Sequence, residues 1–407
     1  GAVDKGMHPE VARAVGDDGQ PWPDHARRHA TMVRRIDDAL ADLIQLLKDL
    51  EIDERTLVVL TSDNGTLREG GLDNVGSYRP DYLDTFGRYD GTKLDLWEGG
   101  VRMPTIVRWP SVIKAGSKSA SASQFHDWMA TFCDLSGVPV PAVSDGVSIV
   151  PTLTGEGKQA QGIVYTEFLV RGRTQNYLEF EPSRRGRPHG QMQSVLIGDY
   201  KGIRVDVKGH RDVFEVYHTL KDPKETTNLA GQSEAPTQKQ FQAAVLRSRR
   251  IDPLSKRPYD NALIPPVTGI ATRPGLVRKE FPGQFDWVPQ FGNRTPSGRK
   301  IVKGLAVTTG AQQFVGYLRV PKSGVYHFAL TTNGKAVARL HDALLIDADS
   351  QYKAGTKALS GKIALRAGLH PLRINCLAPD NAPGLSLEWQ APGEEMKTMP
   401  NTQFFIQ

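Results

Sequence analysis

Two oxygen donors stand side by side at the end of a predicted strand. Asp63 and Asn64 follow the apolar run of residues 56–61, and a carboxylate beside an amide oxygen suits a hard cation such as Ca²⁺ or Mg²⁺. Ligand sites in open α/β sheets lie beyond the carboxyl ends of the strands, which is where this pair falls. Asp-Asn-Gly is also a common turn sequence, so these residues alone favour a turn over a metal site.

A lysine follows downstream, in a segment rich in glycine. Residues 93–104 read Lys-x-x-x-x-Glu-Gly-Gly-x-Arg-x-Pro. Lys93 is a point cation that could hold an anionic group, and Glu98 could anchor the loop by pairing with Arg102. A solvated surface lysine is the alternative for Lys93. The predicted polar loop of residues 66–93 has a length that is usually functional inside a compact domain.

Arginines are concentrated between residues 171 and 189, in a predicted loop. They are Arg171, Arg173, Arg184, Arg185 and Arg187. The guanidinium fork binds sulfate and carboxylate groups in bidentate fashion, so we expect these residues to bind a substrate that carries such a group. A merely solvated basic loop is the alternative.

The hydrophobic pattern indicates the elements that must position these residues. Apolar residues recur at intervals of three and four from residue 30 to residue 50, which predicts an amphipathic helix. The run 56–61 suits a strand buried on both faces, as in a parallel sheet covered by helices. A second apolar run occupies residues 105–109. A helix followed at once by such a strand indicates an α/β fold.

Two further patterns follow along the chain. Short strand candidates and a closing helix at residues 238–249 predict a smaller α+β unit over residues 163–250. Prolines are dense from residue 251 to residue 299, which is typical of a stiff connector. Strand candidates between residues 314 and 389 alternate with Gly, Pro and Asn turns and predict a β-sandwich or barrel.

Bulk composition limits the partners. The 407 residues are 39% hydrophobic and 24% charged, which is typical of a globular protein. A formal charge of +6 is mild for this length and permits binding to polyanions without demonstrating it. We expect no nucleic-acid partner. No apolar run is long enough to predict a membrane span. The first residues lack both an initiator Met and the pattern of a signal peptide, so we expect a fragment or a processed product.

Motifs in a fixed order over residues 30–230 resemble the formylglycine-dependent sulfatases of the alkaline phosphatase superfamily. They are Arg-Ile-Asp-Asp at 35–38, Ser-Asp-Asn-Gly at 62–65, the segment 93–104, Arg-Trp-Pro at 108–110, Gly-Asp-Tyr-Lys at 198–201 and Asp-Pro-Lys-Glu at 222–225. The resemblance implies that Asp63 and Asn64 are two ligands of an active-site Ca²⁺. It also implies that Lys93 contacts the sulfate oxygens, where it neutralises charge as the S–O bond breaks.

One part of the family pattern is not in this sequence. Sulfatases carry Cys/Ser-x-Pro-x-Arg, whose first residue becomes the formylglycine nucleophile, and further metal ligands precede the helix at residue 30. The Pro-Ser-Arg at 182–184 has Phe180 at the nucleophile position. We therefore assign no nucleophile and expect this chain alone to be inactive. The N-terminal sulfatase half is the expected partner, from the same precursor or as a separate chain.

The C-terminal region resembles the protective-antigen-like β-sandwich of glycan-active enzymes. Residues 314–328, 367–372 and 385–389 carry this resemblance. Calcium-dependent sugar-binding members have paired aspartates before a glycine in the loop after the first hairpin, where Thr332-Asn333-Gly334 stands here. We therefore expect a docking or spacer role rather than metal-dependent sugar binding.

The predicted architecture begins with the C-terminal part of an alkaline-phosphatase-like mixed sheet, with helices on both faces, at residues 1–160. A sulfatase α+β subdomain at 161–250, a Pro-rich linker at 251–273 and the sandwich at 274–407 follow. The predicted function is removal of sulfate from a sulfated saccharide, dependent on Ca²⁺ and formylglycine. The alternatives are a phosphonate or phosphodiester hydrolase of the same superfamily and a non-catalytic glycan-binding fragment. Since large sulfated glycans lie outside the cytoplasm, we expect a periplasmic or secreted protein.

Overall fold

Secondary structure changes along the chain from mixed to purely β. The computed structural model describes residues 6–67, 79–250, 254, 256–292, 294–349 and 358–407. The α-helices of this part are α1 (Pro9–Ala12), α2 (Asp24–Asp49), α3 (Glu98–Val101), α4 (Phe125–Leu135), α5 (Val150–Thr154) and α6 (Gln238–Ser248). Short 3₁₀-helices cover Asp53–Arg55 and Asn401–Gln403.

The strands form four sheets within the described residues. Those of the first 250 residues are β1 (Val58–Thr61), β2 (Thr105–Arg108), β3 (Tyr165–Arg173), β4 (Pro188–Ile197), β5 (Tyr200–Arg204) and β6 (Glu215–His218). Those that follow are β7 (Arg273–Pro274), β8 (Leu276–Phe281), β9 (Gly298–Val302), β10 (Gly310–Val320), β11 (Gly324–Thr332), β12 (Lys335–Leu340), β13 (Ala343–Ala348), β14 (Leu359–Leu365), β15 (Gly368–Ala378), β16 (Leu385–Gln390), β17 (Lys397–Thr398) and β18 (Phe404–Ile406).

The predicted amphipathic helix corresponds to α2, but its apolar stripe is largely open. Asp24 in the first turn and Lys48 in the last turn complement the helix dipole. Met32 and Ile36 remain 52% and 59% exposed. β1 pairs with β2 in antiparallel register, Val58 opposite Arg108, whereas the apolar run suggested a parallel neighbourhood buried on both faces. Every residue of β1 is only half-buried.

A four-stranded antiparallel sheet in the order β3-β4-β5-β6 forms the smaller α+β unit. Helix α6 begins at a capping box in which Thr237 and Gln240 satisfy each other's backbone N–H groups. Its Phe241 packs among Val195 and Val216 of the sheet. Gly202 allows this approach, because a Cβ at that position would stand 2.5 Å from the Phe241 ring. The sequence pattern did not indicate β3, whose end falls in the predicted arginine loop.

The C-terminal region is a sandwich of an eight-stranded and a four-stranded sheet. Its central strand β10 pairs along its whole length with β15, Phe314 opposite Ile374. Phe314 from one sheet and Phe328 and Trp389 from the other meet in the core. The predicted strands between residues 314 and 389 correspond to β10–β16. Strands β8 and β9 also join the larger sheet, so the proline-dense stretch includes sandwich strands and is not all connector.

The predicted sequence of fold classes is confirmed: an α/β part, a small α+β unit and a β-sandwich. The residue boundaries between these domains stay predictions. Residues 68–78 of the predicted loop 66–93 lie outside the described residues. Within the part that the structure describes, no helix is long and apolar enough to cross a membrane.

Candidate functional site

The carboxyl end of β1 is joined by backbone hydrogen bonds to the segment that carries Lys93. The N–H of Lys93 donates to the carbonyl of Thr66 at 2.6 Å, and the N–H of Gly65 donates to Gly100 at 3.0 Å. Asp63 is exposed at this edge. The amide nitrogen of Asn64 donates to the Gly65 carbonyl at 2.8 Å. The two oxygen donors and the lysine predicted from sequence are therefore brought to one edge of the molecule.

Glycines make this close approach possible. A Cβ on Gly65 would lie 1.9 Å from the carbonyl oxygen of Gly99, and one on Gly99 would lie 2.3 Å from that of Gly91. Real Cβ atoms do not reach such distances, so a side chain at Gly65 would push β1 away from the Lys93 segment. The two glycines of the Glu-Gly-Gly motif therefore allow close backbone packing that a side chain would prevent.

The Lys93 side chain is half-buried and has no hydrogen bond or ion pair with any residue that the structure describes. The next residue, Leu94, has a positive φ of 84° although it is not glycine. Such backbone strain costs on the order of 1–3 kcal/mol and persists only where the surroundings impose it. Here the surroundings include Asp95, which accepts from Thr92 N–H at 3.1 Å and from the Thr174 hydroxyl at 2.7 Å.

A buried charge cluster lies behind this segment. Glu98 accepts from Arg102 at 2.8 Å and from Nζ of Lys201 at 2.8 Å. Lys201 also lies 3.0 Å from Oε1 of Glu225, whose other oxygen accepts from the Glu98 backbone N–H at 2.9 Å. The predicted Glu98–Arg102 pair is thus present, but it is one part of a larger cluster. The cluster connects three separate chain segments.

Opposing effects set the protonation of the cluster. Burial is the largest influence on Glu98 and favours its neutral form, yet Lys201 and Arg102 together hold its pKa below the usual value. Burial likewise opposes charge on Lys201, while Glu225 and Glu98 raise its pKa. Burial raises the pKa of Glu225. Two carboxylates and one fully buried ammonium therefore compensate one another, with Arg102 at the rim.

The five predicted arginines separate into exposed and internal side chains. Arg171 and Arg173 lie exposed at the end of β3, and Arg173 donates to the Gly186 carbonyl at 2.8 Å. Arg184 is buried, pairs with Asp90 at 3.0 Å and stacks over the Trp97 ring at 4.0 Å.

The remaining two members also make internal contacts. Arg185 donates to the carbonyl of Phe180 at 2.7 Å, and Arg187 pairs with Glu215 on β6. Substrate binding by the set stays a prediction; Arg171 and Arg173 are the most exposed members, Arg185 and Arg187 are half-buried and Arg184 is buried.

The donor set at Asp63 and Asn64 fits a hard cation only in part. A carboxylate and an amide oxygen are ligands that Ca²⁺ accepts, but Ca²⁺ takes about six to eight oxygens. Among the described residues, no group of three or more His, Cys, Asp or Glu could hold a metal ion. Two donors are too few for a Ca²⁺ site by themselves, and the role of Asp63 and Asn64 as metal ligands stays a prediction.

Three family models match parts of the chain, and the first two overlap. Residues 4–138 match the Sulfatase family, and residues 85–250 match the family described as N-sulphoglucosamine sulphohydrolase, C-terminal. Residues 308–403 match the PA14 domain. The chain joins a sulfatase-family region to a PA14 domain.

Curated relatives of the sulfatase-family region are longer than this chain. An N-acetylglucosamine-6-O-sulfatase of Bacteroides thetaiotaomicron is 28% identical over 215 residues, which are 52% of this chain and 33% of the relative. An N-acetylgalactosamine-6-sulfatase of Mus musculus is 34% identical over 176 residues, 43% of this chain and 28% of that protein. A solved complex with the substrate D-glucosamine-2-N,6-O-disulfate matches 52% of this chain and 37% of its own, at 27% identity and a TM-score of 0.36.

Two residues without a predicted role belong to the buried charge cluster behind the Lys93 segment. Lys201 and Glu225 lie in the motifs at 198–201 and 222–225, yet the sequence pattern assigned neither a function. The sequence carried one signal for this role: Lys201 directly precedes the apolar residues of β5, and a charge in a buried strand requires a partner. The partner could not be read from the sequence, because Glu98 is 103 residues away. The sulfatase family is generally metal-dependent, which agrees with the hard donors at 63–64.

Proposed function

We propose that the sulfatase-family region contributes one side of an active site that hydrolyses sulfate esters of a saccharide. The observation that supports this proposal most directly is the backbone connection of Lys93 to the end of β1. The Lys93 side chain has no partner among the described residues, and the connection brings it to the same edge as Asp63 and Asn64. The relatives named as N-acetylglucosamine-6-O-sulfatase and N-acetylgalactosamine-6-sulfatase support a sulfated amino sugar as the substrate class.

In this proposal the chain's own residues bind and orient the sulfate. Lys93 donates to sulfate oxygens and neutralises the charge that grows on them as the S–O bond breaks. Asp63 and Asn64 would hold a divalent cation, proposed to be Ca²⁺, which when bound supplies further neutralisation of the sulfate. The buried Glu98–Lys201–Glu225 cluster anchors the segment that follows Lys93 to β5. Arg171 and Arg173 are the proposed contacts to the saccharide.

The nucleophile and the remaining metal ligands are proposed to come from an N-terminal sulfatase half that carries formylglycine. Exposed apolar side chains on α2 and on β2 support such a partner. Met32, Ile36 and Leu43 are exposed along α2, and Ile106 on β2 is 62% exposed. The same proposal includes inactivity of the isolated chain. An extracytoplasmic location, periplasmic or secreted, follows from the proposed substrate.

Sulfate release from N-acetylglucosamine 6-sulfate and from a chromogenic aryl sulfate tests the proposal, with this chain and the N-terminal half together. We expect Lys93→Met to lower kcat by about 10²–10³-fold, as for loss of one transition-state donor. Lys114→Met, at an exposed lysine of the following loop, is the matched control. A variant as active as the parent, or faster turnover of a matched phosphodiester or phosphonate, would overturn the assignment.

A binding experiment tests the partner separately. Ile106→Asp should weaken co-purification of the N-terminal half, because it introduces a charge into the apolar surface. Ile301→Asp is the control, since Ile301 is similarly exposed (54%) on β9 of the sandwich. Equal recovery of the half with both variants would show that this surface is not its docking site.

A further inference from the structure

A cavity of about 240 Å³ lies between the sulfatase-family region and the sandwich. One wall comes from residues 142–147 and 161–163. The opposite wall comes from β10, β12 and β15, with residues 290–292 at the edge. Ligand sites occur preferentially at such domain junctions. The cavity is separate from the Asp63–Lys93 edge, since it shares no lining residue with that edge.

The two walls are held together by a single buried arginine and by backbone bonds. Arg339 on β12 donates to the carbonyls of Ala142 and Ser144, each at 3.0 Å, and pairs with Asp145 at 2.7 Å. The N–H of Ala142 donates to the Val288 carbonyl at 2.8 Å. The cavity is therefore bounded by fixed walls and is preformed for a ligand.

A second arginine lines the cavity and has no hydrogen bond to any residue that the structure describes. Arg373 on β15 stands directly opposite Arg339 in the β12–β15 register. Like charges in this position are unfavourable. Asp145 compensates Arg339, but Arg373 has no hydrogen bond or ion pair with the residues that the structure describes, although the carboxyl of Asp342 also lines the cavity. Burial and the charge of Arg339 lower the pKa of Arg373, and the nearby carboxylates of Asp342 and Asp145 oppose this effect. An anion that accepts hydrogen bonds from the guanidinium would stabilise its charge further.

Amide side chains surround this guanidinium. Gln313 donates to Asn375 at 3.1 Å, and Asn375 donates to the Pro289 carbonyl at 2.7 Å. Gln290 is held by the Ser144 carbonyl at 2.7 Å, and Gln161 is exposed on the opposite wall. Oriented amides pair with hydroxyl groups in both directions, because they offer donors and acceptors together, whereas carboxylates accept from hydroxyl groups. A site of this kind suits a polyhydroxylated molecule with one negative charge.

We propose that this cavity binds one saccharide unit that carries a single sulfate or carboxylate group, with Arg373 on the anion and the amides on the hydroxyls. Its volume is below the range of about 300–1,000 Å³ of most small-molecule sites, which fits one sugar unit and not a chain. The inference rests on the proposed function for the substrate class. It adds a second, metal-independent contact to the same sulfated glycan, and the sandwich thereby acts in substrate recognition beyond a spacer role.

Calorimetric titration of the full chain with N-acetylglucosamine 6-sulfate, glucuronic acid and unsulfated N-acetylglucosamine tests the site. We expect the two anionic sugars to bind, in the presence of EDTA as well, and the neutral sugar to bind about tenfold or more weakly. Arg373→Gln should lower the affinity for the anionic sugars by about tenfold or more. Gln161→Glu, on an exposed loop where folding is not at risk, should also weaken them by adding a like charge. Arg299→Gln, at an exposed arginine of β9, should change nothing.

Several outcomes would overturn the inference. Unchanged affinity in both Arg373→Gln and Gln161→Glu would exclude the cavity, as would absence of binding. Loss of binding in Lys93→Ala instead would assign the bound sugar to the other edge. Failure of the proposed function can be told apart from failure of this inference. In the first case sulfate release is absent while Arg373-dependent binding of the sugar persists.

Discussion

Nζ of Lys201 lies 2.8 Å from Oε1 of Glu98, and this contact joins β5 to the segment that carries Lys93. Glu225 completes the pair from a third segment, at 3.0 Å from the same ammonium. All three side chains are buried. A buried ammonium between two carboxylates is stable only while every member is present, because each charge has lost its water. The cluster therefore makes the position of Lys93 depend on the smaller α+β unit.

Replacing Lys201 by methionine should destabilise the protein strongly. The substitution leaves Glu98 and Glu225 buried without their common partner, which costs about 3–5 kcal/mol in comparable cases. Urea denaturation at neutral pH measures the loss. Lys208→Met is the control, because Lys208 pairs with Asp206 at the surface and its removal should cost about 0–1 kcal/mol. Equal effects of the two variants would refute a structural role for the buried cluster.

A methyl group at Gly65 should separate the two parts of the candidate site. The Cβ of Gly65→Ala would stand 1.9 Å from the Gly99 carbonyl oxygen, and such overpacking costs about 1–3 kcal/mol. Thermal unfolding should show the loss, and sulfate release with the N-terminal half should fall. Gly209→Ala is the matched control, since its Cβ would meet its nearest atom at 4.0 Å. If Gly65→Ala retained parental activity, the close contact of β1 with the Lys93 segment would not matter for function.

Substitutions of a buried and of an exposed arginine within residues 171–187 should have different effects on stability and on substrate binding. Arg184→Gln leaves Asp90 buried beside an uncharged group and should cost about 3–5 kcal/mol of stability. Arg171→Gln should leave the free energy of unfolding within about 0.5 kcal/mol of the parent, because the side chain is exposed. In the proposed function it should raise KM for the sulfated saccharide while kcat stays unchanged. An unaltered KM would remove Arg171 from the substrate contacts.

Stability of the sandwich should fall in mildly acidic solution because of a buried histidine pair. Nε2 of His370 faces the Arg366 carbonyl at 2.8 Å and so must donate, which leaves its Nδ1 to accept from Nε2 of His341 at 2.9 Å. Burial, His370 and Arg247 lower the pKa of His341 to about 3 from the ordinary 6.5. The unfolded chain therefore binds a proton below 6.5 that the folded chain excludes.

The stabilisation from neutral His341 is complete above pH 6.5 and is lost as the pH falls from 6.5 toward about 3. One excluded proton gives a slope of about 1.4 kcal/mol per pH unit in the free energy of unfolding. His341→Asn should reduce this slope in urea titrations at several pH values. His327→Asn, at an exposed histidine of β11, should leave it unchanged. Identical slopes in the parent and His341→Asn would contradict the account.

Local sequence was sufficient for the elements of the sandwich and for the residues at the edge of β1. Strand β16 and the second half of β10 alternate buried side chains with more exposed ones, and this period is visible without any partner strand. The pair Asp63–Asn64 follows an apolar run, and Lys93 begins a motif whose glycines are required at close backbone contacts. Each of these features is encoded within a dozen neighbouring residues, so the sequence by itself determined them.

Only the tertiary structure decided which charges are buried and which are free. Arg171 and Arg184 are chemically identical in sequence, yet one is exposed on β3 and the other pairs with Asp90, 94 residues away. Lys201 finds Glu98 across 103 residues, and Arg373 faces Arg339 because of strand register. Long-range ion pairs have no periodic signature, since a charged side chain is compatible with water, with a partner or with a ligand. The packing of distant segments selects among these environments, and it is this selection that separates the structural charges from those left for a ligand.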